Sequence, residues 1–404
     1  YNCRHRKRLT DYPTEDTPII IRERLELYGI LKSNMKIGLV CPYDIFRSGG
    51  VQEHVLAQAA ELRRRGHNVK IITPKPRKHS GSVPVDIIFI GNSTKVNMAV
   101  GTSLELGINL KRDALDDILQ TEEFDLLHVH EPEIPLLGAQ IIAKATCPIV
   151  ATFHAMQSDA PMGRTLTALR VPYGRNIYNK LNVVTAVSDV AAEFVREHIT
   201  QKVHIIPNGI DLKKYSVHNT HNSQLTTHNS ILFIGRLEKR KGTKYLLKSF
   251  AKLQIKYPDI ELVIAGDGPE RQMLEDYATK HDIKHIKFLG FIDESKKLEL
   301  LASSTVFCSP ALFGESFGIV LLEAMAMGTP VVAGNNPGYA TVLTGLGSDS
   351  LVDPTDTAKF AAKLATLMYV KTARREWQQW AADNIKQYSY DVVVDQYEKL
   401  YETL

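Results

Sequence analysis

Apolar positions along the chain fall into two series of short runs separated by a polar stretch. The first series begins at Met35. MKIGLVCPY (35–43) is a short continuous apolar run, as a strand buried on both faces requires. VQEHVLAQAAELRRRG (51–66) spaces its apolar residues by three and four and predicts a helix closed by Gly66. NVKIITP (68–74), VDIIFIG (85–91), FDLLHVH (124–130), PIVATFH (148–154) and NVVTAVS (182–188) follow as strands, with helical stretches at 104–121, 134–145 and 189–198 between them. Residues 213–230, KKYSVHNTHNSQLTTHNS, have no apolar period and read as a connecting loop. The pattern then restarts. Strands are predicted at 231–237, 260–268, 286–291, 306–312 and 330–334, and helices at 243–256, 269–281 and 294–303. The last 25 residues read as a helix, a break near Tyr388–Tyr390 and a second amphipathic helix. Strands alternating with helices predict doubly wound parallel sheets, here two of them.

The length of 404 residues agrees with two domains, because single cores stop growing near roughly 250–300 residues. The boundaries expected are 35–207 for the first domain, joined by a terminal helix at about 386–404, and 208–385 for the second. Residues 1–34 stand apart. They are charged and turn-rich, allow at most one short helix, and read as a leader ahead of a natural start at Met35. A net charge of +4 with 23% charged residues gives no sign of a nucleic-acid partner. No apolar run reaches 18 residues, so no membrane span is expected. Cysteines at 3, 41, 147 and 308 form no CxxC pair, which fits a reducing compartment and points to the cytosol.

Candidate chemistry collects where predicted strands end. SGGVQEH (48–54) follows the first strand, and Gly49 and Gly50 let backbone N–H groups approach a phosphate ahead of a helix. GRLEKRKG (235–242) puts Arg236, Lys239, Arg240 and Lys241 at another strand end, where arginine and lysine can grip a diphosphate. In GESFGIVLLEAMAMGTP (314–330), Ser316 is the expected N-cap of a helix over Phe317–Met327, and Gly328 its stop. Glu323 then lies on an apolar stripe, where a carboxylate needs a partner, unless it snorkels to solvent. A phosphate at the helix start (Phe317, Gly318, Ile319), with hydroxyls on Glu315 and Glu323, matches the shape of a nucleotide-sugar. His154 in FHA (153–155) would face the same cleft. GDGP (266–269, with Gly266) and GFIDE (290–294, with Ile292 and Glu294) could hold the base, and Glu294 suits guanine. His128 and His130 share a strand face, but no third ligand is visible and no metal is expected.

These residues resemble a known family. The Glu-x7-Glu segment, GRLEKRKG, IPNGID (206–211) and the early GGV resemble the retaining GT-B glycosyltransferases of family four. MKIGLVCPYDIFRSGGVQEHV, LLHVHEP and IVATFHA are similar to the bacterial phosphatidylinositol α-mannosyltransferases, and the resemblance covers 35–404. It implies an α/β GT-B fold, two Rossmann-like domains facing each other across a donor/acceptor cleft. It implies catalytic roles for His154, Arg236, Lys241 and Glu315, with Gly49 and Gly50 also on the donor diphosphate and Glu323 on the ribose. The implied donor is a nucleoside-diphosphate sugar, GDP-mannose favoured and a UDP-sugar open. No other cofactor is called for, and the implied course is a front-face reaction on a lipid or glycan hydroxyl. The acceptor side, read as Tyr43, Asn92, Lys95 and Asn97, departs from the family pattern. Asn97 stands where an arginine is found, and the basic helix is reduced to Lys111 and Arg112, which counts against phosphatidylinositol. A weak peripheral association with the inner membrane face stays open. A nucleotide-sugar epimerase and a catalytically silent binding protein are the rival classes, and retention of Arg236, Lys241 and Glu315 counts against the second.

Overall fold

The computed structural model describes residues 34–47, 49–76, 84–97, 103–108, 112–134, 137–155, 177–219 and 229–404. The expected leader therefore lies outside the described residues, apart from Asn34.

The first apolar series builds an eight-stranded sheet: β1 (Lys36–Val40), β2 (Asn68–Lys75), β3 (Ile87–Asn97), β4 (Ser103–Ile108), β5 (Leu126–His130), β6 (Ile149–Phe153), β7 (Val183–Ala186) and β8 (Val203–Ile205). Its helices are α1 (Gly50–Arg64), α2 (Arg112–Glu122), α3 (Leu137–Lys144) and α4 (Asp189–Arg196). The strand order is β4-β3-β2-β1-β5-β6-β7-β8, parallel except for the β3–β4 pair. The central strands are apolar runs buried on both faces, as parallel sheets demand.

One expectation fails here. Residues 104–108 are not the start of a helix but β4, an edge strand running antiparallel to β3 from Asn92↔Ile108 to Asn97↔Ser103. Leu104, Leu106 and Ile108 alternate along SLELGI, and Gly107 is a poor helix residue, so the ladder outweighs a short local preference. Helix formation waits until Arg112.

The connecting stretch is also more ordered than expected. α5 (Leu212–Asn219) begins where a loop was read, with Asp211 accepting from the N–H groups of Lys213 and Lys214. Then come β9 (Ser230–Ile234), α6 (Thr243–Lys256), β10 (Glu261–Ala265), α7 (Arg271–Lys280), β11 (Ile286–Gly290), α8 (Glu294–Ser303), β12 (Val306–Ser309), α9 (Ile319–Ala326), β13 (Val331–Gly334), α10 (Pro337–Ala340) and β14 (Leu351–Val352). They form a six-stranded parallel sheet in the order β11-β10-β9-β12-β13-β14. α11 (Thr357–Tyr369) and α12 (Lys371–Asn384) complete this half.

The chain then crosses back. A 3-10 turn at Ile385–Tyr388 breaks the helix where a break was expected, and α13 (Tyr390–Tyr401) packs on the first sheet. Val393, Val394, Tyr397 and Tyr401 join Leu39, Val55, Leu62 and Leu126 in one core. Two buried carboxylate contacts fix the helix: Glu398, with no solvent exposure, accepts from Arg65 Nη1 at 2.5 Å and meets His67 Nε2 at 2.9 Å. The outgoing and returning crossings also pair, Ile210 donating to Tyr388 and Tyr390 donating back to Ile210.

Candidate active site

In a doubly wound sheet, ligands bind beyond the strand C-termini where the strand order reverses direction. In the first sheet that point lies between β1 and β5, and the turn after β1 ends in Gly49 and Gly50 at the head of α1. In the second it lies between β9 and β12, whose following loops are 235–242 and 310–318. The loops singled out in the sequence thus occupy both switch points. They also meet. A Cβ on Gly50 would come within 2.9 Å of Ile319 Cδ1, and the Ser188 hydroxyl donates to the Ser316 carbonyl at 2.5 Å.

The two loops of the second half are laced together. Leu312 donates its N–H to the Arg240 carbonyl. Gly242 has φ +70°, and a Cβ there would strike the Pro310 carbonyl at 2.0 Å, so only glycine fits. The helix after the second loop starts later than expected. Its N-cap is Gly318 at φ +106°, not Ser316, because Phe317 turns inward against Tyr388 with ring centroids 5.9 Å apart. Gly328 ends it in the left-handed conformation, as read.

This lacing sets the charges. Arg240 Nη1 and Lys241 Nζ both donate to Glu315 Oε1 at 2.7 Å. Arg236 pairs with the buried Glu238 at 3.1 Å, and Arg240 reaches the same carboxylate at 3.0 Å. Arg236, Arg240 and Lys241 thus face Glu238 and Glu315, and the exposed Lys239 adds a fourth cation, an excess of positive charge at a switch point.

Glu323 does not snorkel. It is 6% exposed and accepts from Lys297 Nζ at 2.5 Å and from the Tyr215 hydroxyl at 3.2 Å. Burial opposes charge on Lys297, but Glu323 and then Glu294 hold the ammonium above its ordinary range. Burial and the Glu323 charge push the Tyr215 hydroxyl up as well. Neither partner was singled out in the sequence: Tyr215 lies on the unread α5, and Lys297 is one cation in a charged helix. The nearest signal is Asp211, a helix cap ahead of LKKY. Glu294 sits in ion pairs with Lys214 at 2.5 Å and Lys297 at 2.9 Å, so a base edge would have to share its carboxylate. Gly266 bridges to Gly290 at the end of β10, and Ile292 lies half-buried beside Glu294.

The first half presents a different wall. His128 and His130 stack on β5 with centroids 4.3 Å apart. His128 is fully engaged, its Nε2 with Thr152 Oγ1 and its Nδ1 with the Tyr401 hydroxyl, both at 2.6 Å. His130 Nδ1 lies 2.9 Å from His154 Nε2, and His154 Nδ1 lies 3.2 Å from Asn208 Oδ1. The His154 backbone donates to Glu131, a buried residue held at φ +51°. His54, from α1, joins the group with its ring 5.1 Å from His154 and 5.5 Å from His130. Burial depresses all four imidazoles: His128 to about 3, His154 to about 4, His54 and His130 well below the usual range. Burial raises the Glu131 carboxyl, and the neighbouring Glu133 raises it further. No pattern along the chain singles out His54, which reads as a polar helix position.

On the acceptor side, Tyr43 accepts at its carbonyl from Thr73. Asn92, Lys95 and Asn97 lie on β3 opposite β4, and their side chains are outside the described residues. Among the described residues, no helix is long and apolar enough to cross a membrane.

Residues 48–214 match the profile described as Glycosyltransferase Family 4, and 219–383 match Glycosyl transferases group 1. A phosphatidyl-myo-inositol mannosyltransferase of Mycolicibacterium smegmatis is 33% identical over 378 residues, 92% of this chain and 94% of that relative. Among solved structures, a sucrose-phosphate synthase from Thermosynechococcus elongatus superposes with a TM-score of 0.72 at 18% identity, over 92% of this chain and 99% of its own. Anabaena HepE in complex with UDP and glucose gives 0.70 at 19% identity, over 92% and 100%. The chain belongs to the family-four glycosyltransferases of GT-B fold, the family of the phosphatidyl-myo-inositol mannosyltransferases.

Proposed function

We propose that the protein transfers a hexose, mannose in the favoured reading, from a nucleoside-diphosphate sugar to a lipid or glycan hydroxyl with retention at the anomeric carbon. The observation that carries this reading is the Glu315 carboxylate held between Arg240 and Lys241, beside the N-terminus of α9. An entering diphosphate competes with Glu315 for these cations and satisfies free N–H groups of the helix. Glu315, freed in part, can accept from hydroxyls of the sugar, and Glu323, fixed by Lys297 and Tyr215, from hydroxyls of the ribose.

In the proposed step the bond from the anomeric carbon to the β-phosphate oxygen breaks. The acceptor oxygen attacks on the same face, and its proton passes to the departing phosphate. Arg236, Lys241 and the Gly49–Gly50 N–H groups stabilise the growing negative charge on the leaving group, the largest task in such a transfer. No carboxylate is assigned as a covalent nucleophile. His154, kept neutral by burial, lines the pocket next to the reacting centre.

A mannosyl donor is supported by the named activity of the relatives at 32–33% identity. GDP is favoured over UDP only through Glu294. The test is release of nucleoside diphosphate from a panel of GDP- and UDP-sugars, with lipid and glycan acceptors added in turn. Release from GDP-mannose accelerated by one acceptor is expected. Turnover of a UDP-sugar alone moves the base and sugar, conversion to an epimeric donor without release supports the epimerase, and no donor binding overturns the transferase reading.

A further inference from the structure

We propose that His54, His130 and His154 form a binding site for one divalent transition-metal ion of the zinc class. One ring nitrogen from each lies within 4.8 Å of the other two, and all three residues are at most 6% exposed. Three elements contribute one ligand each: the first turns of α1, the end of β5 and the loop after β6. His128, which the sequence pairs with His130, takes no part because Thr152 and Tyr401 occupy its two nitrogens.

The hydrogen-bond pattern leaves ring lone pairs in this cluster without a donor. Asn208 Oδ1 accepts from His154 Nδ1, so the lone pair of His154 is on Nε2. His130 then donates from Nδ1 to that atom and keeps its own lone pair on Nε2. His130 Nε2 has no partner among the described residues, and neither ring nitrogen of His54 has one. A buried polar atom without a partner costs about 1–3 kcal/mol, so this arrangement favours whatever supplies one. Several lone pairs in a buried pocket are matched by a cation that accepts nitrogen donors. Neutral imidazoles without a carboxylate suit zinc, cobalt, nickel or copper, and they do not suit calcium or magnesium, which take oxygen ligands.

A tetrahedral ion at about 2.0–2.1 Å from each nitrogen sets the ligand atoms roughly 3.3 Å apart. The widest pair therefore closes by at most about 1.5 Å, and the ion takes the His154 Nε2 lone pair that the His130 N–H holds in its absence. Asn208 stays as the outer partner that fixes the His154 tautomer, as metal-bound histidines generally require. The ligand His54 lies four residues after Gly50, on the helix that the Gly49–Gly50 turn opens. On the reading of His154 given above, a bound ion also lowers transfer, but binding is scored without that reading.

The experiment is titration of the full chain, stripped of metal by a chelator, with cobalt followed by zinc. One equivalent of cobalt giving the visible bands of a tetrahedral nitrogen site, displaced by one equivalent of zinc, is expected. His54→Gln and His130→Gln should weaken binding by more than about 100-fold, since losing even an outer partner costs about 10–100-fold. Asn208→Ala should weaken it by about 10–100-fold, and His128→Gln should leave the cobalt spectrum in place. Should a variant fail to fold, X-ray absorption on the zinc-loaded wild type counts the ligands directly. Three imidazoles support the site. A spectrum unchanged by His54→Gln, fewer than three imidazoles, or no cobalt bound at one equivalent overturns it and leaves water as the partner of these nitrogens.

Discussion

The two walls of the cleft solve opposite electrostatic problems. In the second half, charge is abundant and self-paired: Glu315 with Arg240 and Lys241, Glu323 with Lys297. In the first half, four histidines are buried and kept neutral, and three of them, His128, His130 and His154, bond to hydroxyls, an amide and one another. A charged wall can exchange internal carboxylates for an incoming anion at little cost, because each cation keeps a partner throughout. A neutral wall cannot attract an anion, but it can shape and dry the place where a sugar reacts. Binding energy for the donor should therefore reside in the second half.

The largest effect should come from removing one cation of the charged wall. Lys241→Ala takes away a partner shared by Glu315 and the proposed diphosphate, and the loss falls on the charge that develops as the leaving group departs. Transfer should drop by about 10²–10³-fold, the range found for a single transition-state donor. Turnover measured at saturating donor tests this directly. A variant within threefold of wild type would break the comparison, because the charged wall would then be a structural pairing alone.

What was legible in the sequence was local. Glu315 and Glu323 announce themselves by lying eight apart around an apolar helix, and 235–242 by four cations at a strand end. Each of these is a property of one segment and its neighbours. The partners that fix Glu323 were not legible, because their significance arises only when α5, α8 and α9 come together. Tyr215 in a polar stretch and Lys297 among other lysines carry no pattern of their own. The same applies to His54, on a helix face whose depth depends on α13 arriving from the far end of the chain. The misread start of 104–121 has a related cause: β4 owes its form to its ladder with β3. Gly318 displaced Ser316 as the N-cap because Phe317 found a place against Tyr388, a residue 71 positions on.

The neutrality of the first wall depends on α13 covering it, since Tyr397 and Tyr401 lie against His128. That cover is held by Arg65, which pairs with Glu398 and with Glu61. Hydrogen bonds from Arg64 and then Arg65, working against partial burial, depress the Glu61 carboxyl to about 2 from its usual 4.5. A depressed carboxyl stabilises the fold above its unfolded pKa, and that stability is lost as pH falls through the folded value. The window here runs from pH 4.5 down to about 2. Solvent around Arg64 screens the pair, so the loss should be about 1 kcal/mol. Unfolding midpoints of wild type and Glu61→Gln should differ at pH 6 and converge below that window. Equal midpoints at both pH values would detach α13 from the argument about the histidines.

The smallest expected effect sharpens the comparison most, because it separates binding from chemistry within the charged wall. Tyr215→Phe removes one hydroxyl that donates to Glu323 at 3.2 Å and leaves the Lys297 ion pair and the ring's packing in place. The hydroxyl acts on a bound ribose only by orienting a carboxylate that keeps Lys297. The effect on the donor should therefore be about 0.5–1 kcal/mol, or a twofold to fivefold change, below the worth of a full hydrogen bond to a charged group. If Glu323 holds the ribose, the change appears in KM for the donor and leaves kcat alone, since the ribose is bound equally in ground and transition states. It should also vanish with a donor lacking the ribose hydroxyls, which has no use for an oriented Glu323. A fall in kcat instead would move Glu323 from ribose binding to the reacting sugar, and the division of labour between the two glutamates would have to be redrawn.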